Sequence, residues 1–175
     1  MALKPFIKLQ VPRPVDRPEL PADLAAFYAE HEGIGLEYGW DDDVVIRSCK
    51  LDEVERVGWK GVDSVADVPE GWERFTALRI ASGMFFEEIV YVLDAPSCPP
   101  GSVLAIGGDL LGLGGAGPYA LDCSLVLAST FPAWLAHLER WGWAEPAIAA
   151  AWEFTEQERQ ESYRYYLALN PAARR

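Results

Sequence analysis

The feature that most constrains this chain is a series of short apolar runs between residues 44 and 128, each bounded by turn-forming residues. Residues 44–49 (VVIRSC), 75–80 (FTALRI), 84–93 (MFFEEIVYVL), 102–107 (SVLAIG) and 124–128 (SLVLA) are rich in β-branched and aromatic side chains, which suit a pleated, half-buried strand. Ser82-Gly83 lies between the second and third runs and predicts an antiparallel hairpin. Within the third run, Ile89, Tyr91 and Leu93 are expected to face one way and Val90 and Val92 the other. DAPSCPPG reads as a loop, and GGDLLGLGGAGPYALDC as a Gly-rich connection with room for a short strand at 110–113. The regular βαβα alternation of a doubly wound parallel sheet is missing. The pattern predicts an α+β fold: a mostly antiparallel sheet flanked by an N-terminal helix and C-terminal helices.

The helices are expected on either side of these strands. Pro21 suits the first position of a helix in LPADLAAFYAEHEG. Leu20, Leu24, Phe27, Tyr28 and His31 form its apolar face, and Gly33 is the expected C-cap. Leu51, Val54 and Val57 have the spacing of a short helix, and residues 61–72 read as a loop with Pro69 and Gly71. Later, Thr130 caps a helix with Pro132 in its first turn and Phe131, Trp134, Leu135, Leu138 and Trp141 as its buried stripe; Gly142 ends it. An Ala-rich helix is expected near 145–152. Thr155-Glu-Gln-Glu158 is a capping box opening a last helix to residue 169, with Tyr163, Tyr166, Leu167 and Leu169 docking on the body. Residues 1–20 hold Pro5, Pro12, Pro14 and Pro18, so an extended strap is expected there, tacked down by Phe6, Ile7 and Leu9. The organisation is a strap at 1–19, a domain at 20–142 and a helical extension at 143–175 packed on that domain.

Charge narrows the partners. The formal net charge is −12, and residues 21–152 carry 21 acids against 7 bases, a net of −14, whereas residues 1–20 carry +2. Such a body repels phosphate backbones, so nucleic acid is not an expected partner. It attracts a basic protein, although solubility alone also explains acidity. Residues 101–121 are the longest weakly charged stretch, but seven Gly and Pro118 make them unfit for a membrane helix. The first residues, MALKPFIKLQVPRP, lack the apolar run of a signal peptide. Cys49, Cys98 and Cys123 are odd in number and widely spaced, as expected of free thiols in a reducing cytoplasm.

Tests for catalytic and cofactor chemistry fail one after another. Gly112-Leu-Gly114-Gly-Ala-Gly117 spells GxGxxG, but a dinucleotide site needs a strand before it and a helix N-terminus after it, and here Pro118-Tyr119 leads toward a strand. Gly107 and Gly112 have P-loop spacing without the Lys and hydroxyl that handle phosphate and magnesium. There is no GxSxG, and His31 and His137 read as packing or surface histidines rather than bases. No zinc-ligand spacing exists, and Asp41-Asp42-Asp43 lacks the Gly and distant Glu of a calcium loop. Neither metal nor cofactor is expected. What remains is Trp40 beside Asp41, Asp42 and Asp43, with Glu87 and Glu88 breaking the apolar alternation of their strand. These six are the candidate residues for anchoring a basic partner. The alternatives are a core Trp with a charged rim and carboxylates that protect a sheet edge.

Two segments carry a family resemblance. One is Leu20-Pro21-Ala-Asp-Leu24 through Glu32-Gly33, followed by Ser48-Cys49-Lys50-Leu51-Asp52-Glu53-Val54. The other is Val103-Leu-Ala-Ile106-Gly-Gly108-Asp109 with Ser124-Leu-Val-Leu-Ala128-Ser-Thr130-Phe131-Pro-Ala-Trp134-Leu135. Over residues 20–139 the chain resembles the SUKH superfamily, which includes a yeast cell-wall regulator and many bacterial immunity proteins. Residues 1–19, 112–117 and 145–169 depart from that family's common core. The resemblance implies a mixed sheet with helices and a non-catalytic, partner-binding role, commonly neutralising a nuclease-type toxin. Two other readings stay open: a small-ligand protein or enzyme with residues 107–117 lining a pocket, and a regulatory scaffold.

Overall fold

The computed structural model describes residues 6–38, 43–58, 73–83, 88–96, 98–106, 124–141 and 155–169. Eight strands among these residues pair antiparallel throughout: β1 (Phe6–Lys8), β2 (His31–Tyr38), β3 (Asp43–Ser48), β4 (Glu55–Gly58), β5 (Thr76–Gly83), β6 (Glu88–Asp94), β7 (Val103–Ile106) and β8 (Ser124–Ala128). The order is β1-β2-β3-β5-β6-β7-β8, with β4 also on β5. Three helices accompany them: α1 (Ala22–Glu30), α2 (Phe131–Trp141) and α3 (Glu156–Leu169). The α+β class and the antiparallel sheet expected from the sequence are therefore present.

Alternation along the central strands gives the sheet two buried faces. On one, Leu78, Ile80, Ile89, Tyr91, Val103, Ala105 and Leu127 pack against Leu24, Phe27 and Tyr28 of α1 and Phe131, Trp134 and Leu138 of α2. The Phe131 ring meets those of Phe27, Tyr91 and Trp134 at centroid separations of 5.6–6.0 Å, a range in which aromatic pairs add to simple burial. On the other face, Ala77, Val90, Val92, Leu104, Ile106 and Val126 cluster with Val57, Phe75 and Cys98, and Leu169 of α3 packs against them. Ile89 and Tyr91 thus part from Val90 and Val92 as the period-two pattern requires.

Five expectations need correction or fall outside the described residues. Gly33 is not a helix cap. The helix ends at Glu30, and the chain passes straight into β2, with His31 already extended. The carbonyls of the last turn are met by the strap instead: Leu9 N–H donates to Glu30 O and Arg13 N–H to Ala29 O, each at 3.0 Å. Gly33 is required by close approach, since a Cβ there would sit 2.2 Å from Ser48 Oγ. That hydroxyl is buried and accepts the Ile34 N–H at 2.6 Å. Residues 51–57 are not a helix. Glu53 N–H and Val54 N–H close a single turn on Lys50 O, the Glu53 carboxylate accepts the Lys50 N–H, and β4 then pairs with β5 from Glu55↔Arg79 to Gly58↔Thr76. Ser82-Gly83 is still strand: Ser82 pairs with Arg47 on one side and Glu88 on the other. The strand at 110–113 and the helix near 145–152 lie outside the described residues.

The later helix starts agree with the sequence, whereas Pro21 is the extended N-cap of α1 and not its first helical residue. In α1 the Asp23 carboxylate accepts Leu24 N–H at 2.9 Å and the Tyr91 hydroxyl at 3.1 Å, and its charge suits the positive end of the helix. In α2 Thr130 Oγ1 accepts Ala133 N–H at 3.3 Å, and α3 begins directly after Thr155.

Candidate functional site

Register brings the candidate segments to one end of the sheet. Gly35, Arg47, Ser82, Glu88, Ile106 and Ser124 are successive Cα partners across β2, β3, β5, β6, β7 and β8, a row crossing six strands. The connections β2–β3, β5–β6 and β7–β8 all leave the sheet on the same side of that row. Residues 39–42, 84–87 and 107–123, which make those connections, therefore join strands at a single end. Trp40, Asp41, Asp42 and Glu87 belong to them and lie outside the described residues, as does the Gly-rich segment 112–117. Asp43 opens β3 opposite Tyr38, and Glu88 opens β6.

Glu88 is not a free carboxylate. Arg79 Nε donates to Glu88 Oε2, and Arg79 Nη1 to Glu55 Oε1, so one guanidinium bridges β4, β5 and β6. The Glu88 side chain is 18% exposed and that of Glu55 58%. Two acids for one base leave a net negative charge at this bridge, which runs from Glu88 on the row to Arg79 and Glu55 inside it. The strand sequence carried a signal for this: Arg79 interrupts an apolar run and sits on the same face as Ala77, where only a paired cation is tolerated.

The remaining reactive side chains are held in packing roles. His31 stacks on Phe27 at 4.8 Å, and its Nδ1 lies 3.1 Å from Phe27 O. His137 is buried on α2; burial, aided by the nearby Arg140 cation, lowers its pKa to about 4, so the ring is neutral near pH 7. Burial pushes the Cys49 thiol up to about 11, with Glu53 adding to the shift, which suppresses the thiolate needed for nucleophilic chemistry. Cys49 and Cys98 are free, and Cys98 is buried; Cys123 lies outside the described residues. Among the described residues no cluster of three His, Cys, Asp or Glu side chains has metal-binding geometry, and no helix is long and apolar enough to cross a membrane. The segment spelling GxGxxG joins β7 to β8, which are antiparallel neighbours; a dinucleotide fold uses a crossover between parallel strands.

Sequence reasoning missed Arg17. Its guanidinium donates to Leu51 O at 2.5 Å and Val54 O at 3.1 Å, and Tyr28 OH donates to Cys49 O at 2.8 Å. Strap and helix together hold the turn at 50–54. Nothing local in the strap sequence signals these long-range carbonyl partners.

Comparison of the chain with protein-family models, with curated proteins and with solved structures returns no match.

Proposed function

We propose that this chain is a non-catalytic protein-binding domain that meets a basic protein through the acidic end of its sheet. In the finer form of this reading it is an immunity protein of the SUKH type, neutralising a cationic, nuclease-type toxin in the cytoplasm. The observation that carries it is the shared row: three separate connections, two of them bearing Trp40, Asp41, Asp42 and Glu87, leave the sheet at one end, where Asp43 opens β3 and Glu88 opens β6. A net charge of −14 over residues 21–152 adds long-range attraction to a cation. The α+β class is compatible with this family reading, whereas the mixed sheet that the resemblance implies differs from the all-antiparallel pairing among the described residues.

The test is titration of the full chain against each basic protein encoded beside its gene, at low and high salt. One of them is expected to bind, with affinity falling as salt rises because screening weakens the charge attraction. Absence of binding to all of them, or affinity indifferent to salt, contradicts the reading. Because 107–117 opens at the same end, a thermal-shift screen with nucleotides addresses the small-ligand alternative; a rise in melting temperature would favour it.

A further inference from the structure

The strap fills a groove built for it, yet its first half is held lightly. Residues 6–13 contribute three strand pairs, Phe6↔Ile34, Ile7↔Gly33 and Lys8↔His31, with an irregular register between Ile7 and Lys8. They add the two N–H groups that cap α1. Phe6 sets its edge on Phe27 and His31 at 5.8 and 5.6 Å. Ile7 Cδ1 lies where a Cβ at Gly35 would come within 3.2 Å, so β2 is bare at that point. Two large apolar side chains on this stretch are left exposed, Ile7 at 49% and Val11 at 75%. The second half of the strap is a fixed base, with Arg17 clamped on the 50–54 turn and Leu20 buried. Pro12 and Pro14 punctuate the join, locking φ and favouring extended backbone there, and Pro18 lies in the turn that Leu20 N–H closes on Arg17 O at 3.0 Å.

We propose that residues 6–13 are an exchangeable strap, and that the groove beside β2 and the C-terminal turn of α1 takes this same segment from a second copy of the chain. The occupant is specified by fit and by charge. The groove wants an aromatic side chain over Phe27 and His31, an aliphatic one over Gly35 and two N–H groups at the spacing of Leu9 and Arg13, and residues 6–13 supply all of these. Residues 1–20 carry +2 and residues 21–152 carry −14, so the strap of one copy is attracted to the body of another. Exchange keeps every contact that the strap makes within one chain, which is why swapping an intact element is a low-cost route to a dimer. This inference does not depend on the acidic end of the sheet.

Native mass spectrometry of the full chain across rising concentration tests it, together with disulfide trapping between Lys8→Cys and His31→Cys. Carried on one chain, the pair reports the strap at home; carried on two different chains mixed in equal amounts, it reports exchange. The expected result is a dimer whose fraction rises with concentration and an inter-chain disulfide in the mixture. A chain that stays monomeric throughout, or a dimer in which the mixture yields no inter-chain link, overturns the proposal. The unmodified chain gives the mass readout even if either cysteine variant folds poorly.

Discussion

At the end of the sheet where β6 turns into β7, the backbone closes on itself. Val92 N–H donates to Ser102 O, Gly101 N–H to Val92 O and Ser102 N–H to Pro99 O, with Gly101 at φ 89°. Ser102 Oγ reaches Ser129 O at 3.4 Å just before α2 begins. At the opposite end, beyond the row from Gly35 to Ser124, lie Tyr38 and Asp43, while Glu88 stands on the row itself and its partner Arg79 three residues toward the closed end. Three connections bearing acids, aromatics and glycines leave from there. The first end closes the β6–β7 turn through its own backbone hydrogen bonds and lies beside the start of α2; at the second the acidic connections begin. Stability and recognition should therefore separate along the length of the same strands.

The largest effect should come from the sealed end. Phe131→Ala removes a ring that touches Phe27, Tyr91 and Trp134 and should cost about 3–5 kcal/mol in urea unfolding, with binding of the folded fraction unchanged. A comparable change in affinity would break the separation.

Next is a pH effect. His137 has a folded pKa near 4, below the ordinary 6.5. The unfolded chain then binds more protons between those values, so stability falls as pH drops from 6.5 to 4, by about 3 kcal/mol for this group, and levels off below. His137→Gln should flatten that part of a stability–pH curve. An unchanged slope would assign the acid sensitivity to other groups.

Gly33 sharpens the comparison on the sealed side of the row. Gly33→Ala should displace Ser48 Oγ and leave the Ile34 N–H unmet, at roughly 1–3 kcal/mol. Ser48→Ala leaves only Ser48 Cβ, 3.5 Å from the added methyl, so the clash is relieved. A double-mutant cycle should show the pair costing less than its singles together. Strict additivity would deny the close approach.

Gly33 also shows where the sequence was legible and where it was not. A glycine after an apolar helical face looks the same whether it ends a helix or admits a neighbouring strand. Only the position of Ser48, fifteen residues away, decides. Leu51, Val54 and Val57 misled for the same reason: spacing of three fits a helix, but β4 is made by its pairing with β5. Periodicity was sufficient where a face meets one continuous core, as in α1, α2 and the Ile89/Val90 alternation. At the candidate site, residue types in Trp40–Asp43 and Glu87–Glu88 drew attention to an acidic turn and, separately, to a strand. Their shared end of the sheet is a property of register, which no local pattern encodes.

The smallest stability effects belong to the Arg79 bridge. Glu55→Gln breaks an exposed ion pair and should cost about 0.2–1 kcal/mol. Glu88→Gln, at the less exposed side of Arg79, should cost more by the same unfolding assay. The reverse order would mean that the bridge is organised around β4 instead of β6.

The most direct test compares equal charge changes at the two ends. Asp41→Lys with Asp42→Lys alters the rim side, and Glu73→Lys with Asp94→Lys alters the sealed side, where both acids are exposed. Calorimetric titration with the basic protein that binds the parent chain should show affinity falling at least about tenfold for the first pair and changing little for the second. Equal losses from both pairs would mean that overall charge, and not this end of the sheet, governs recognition.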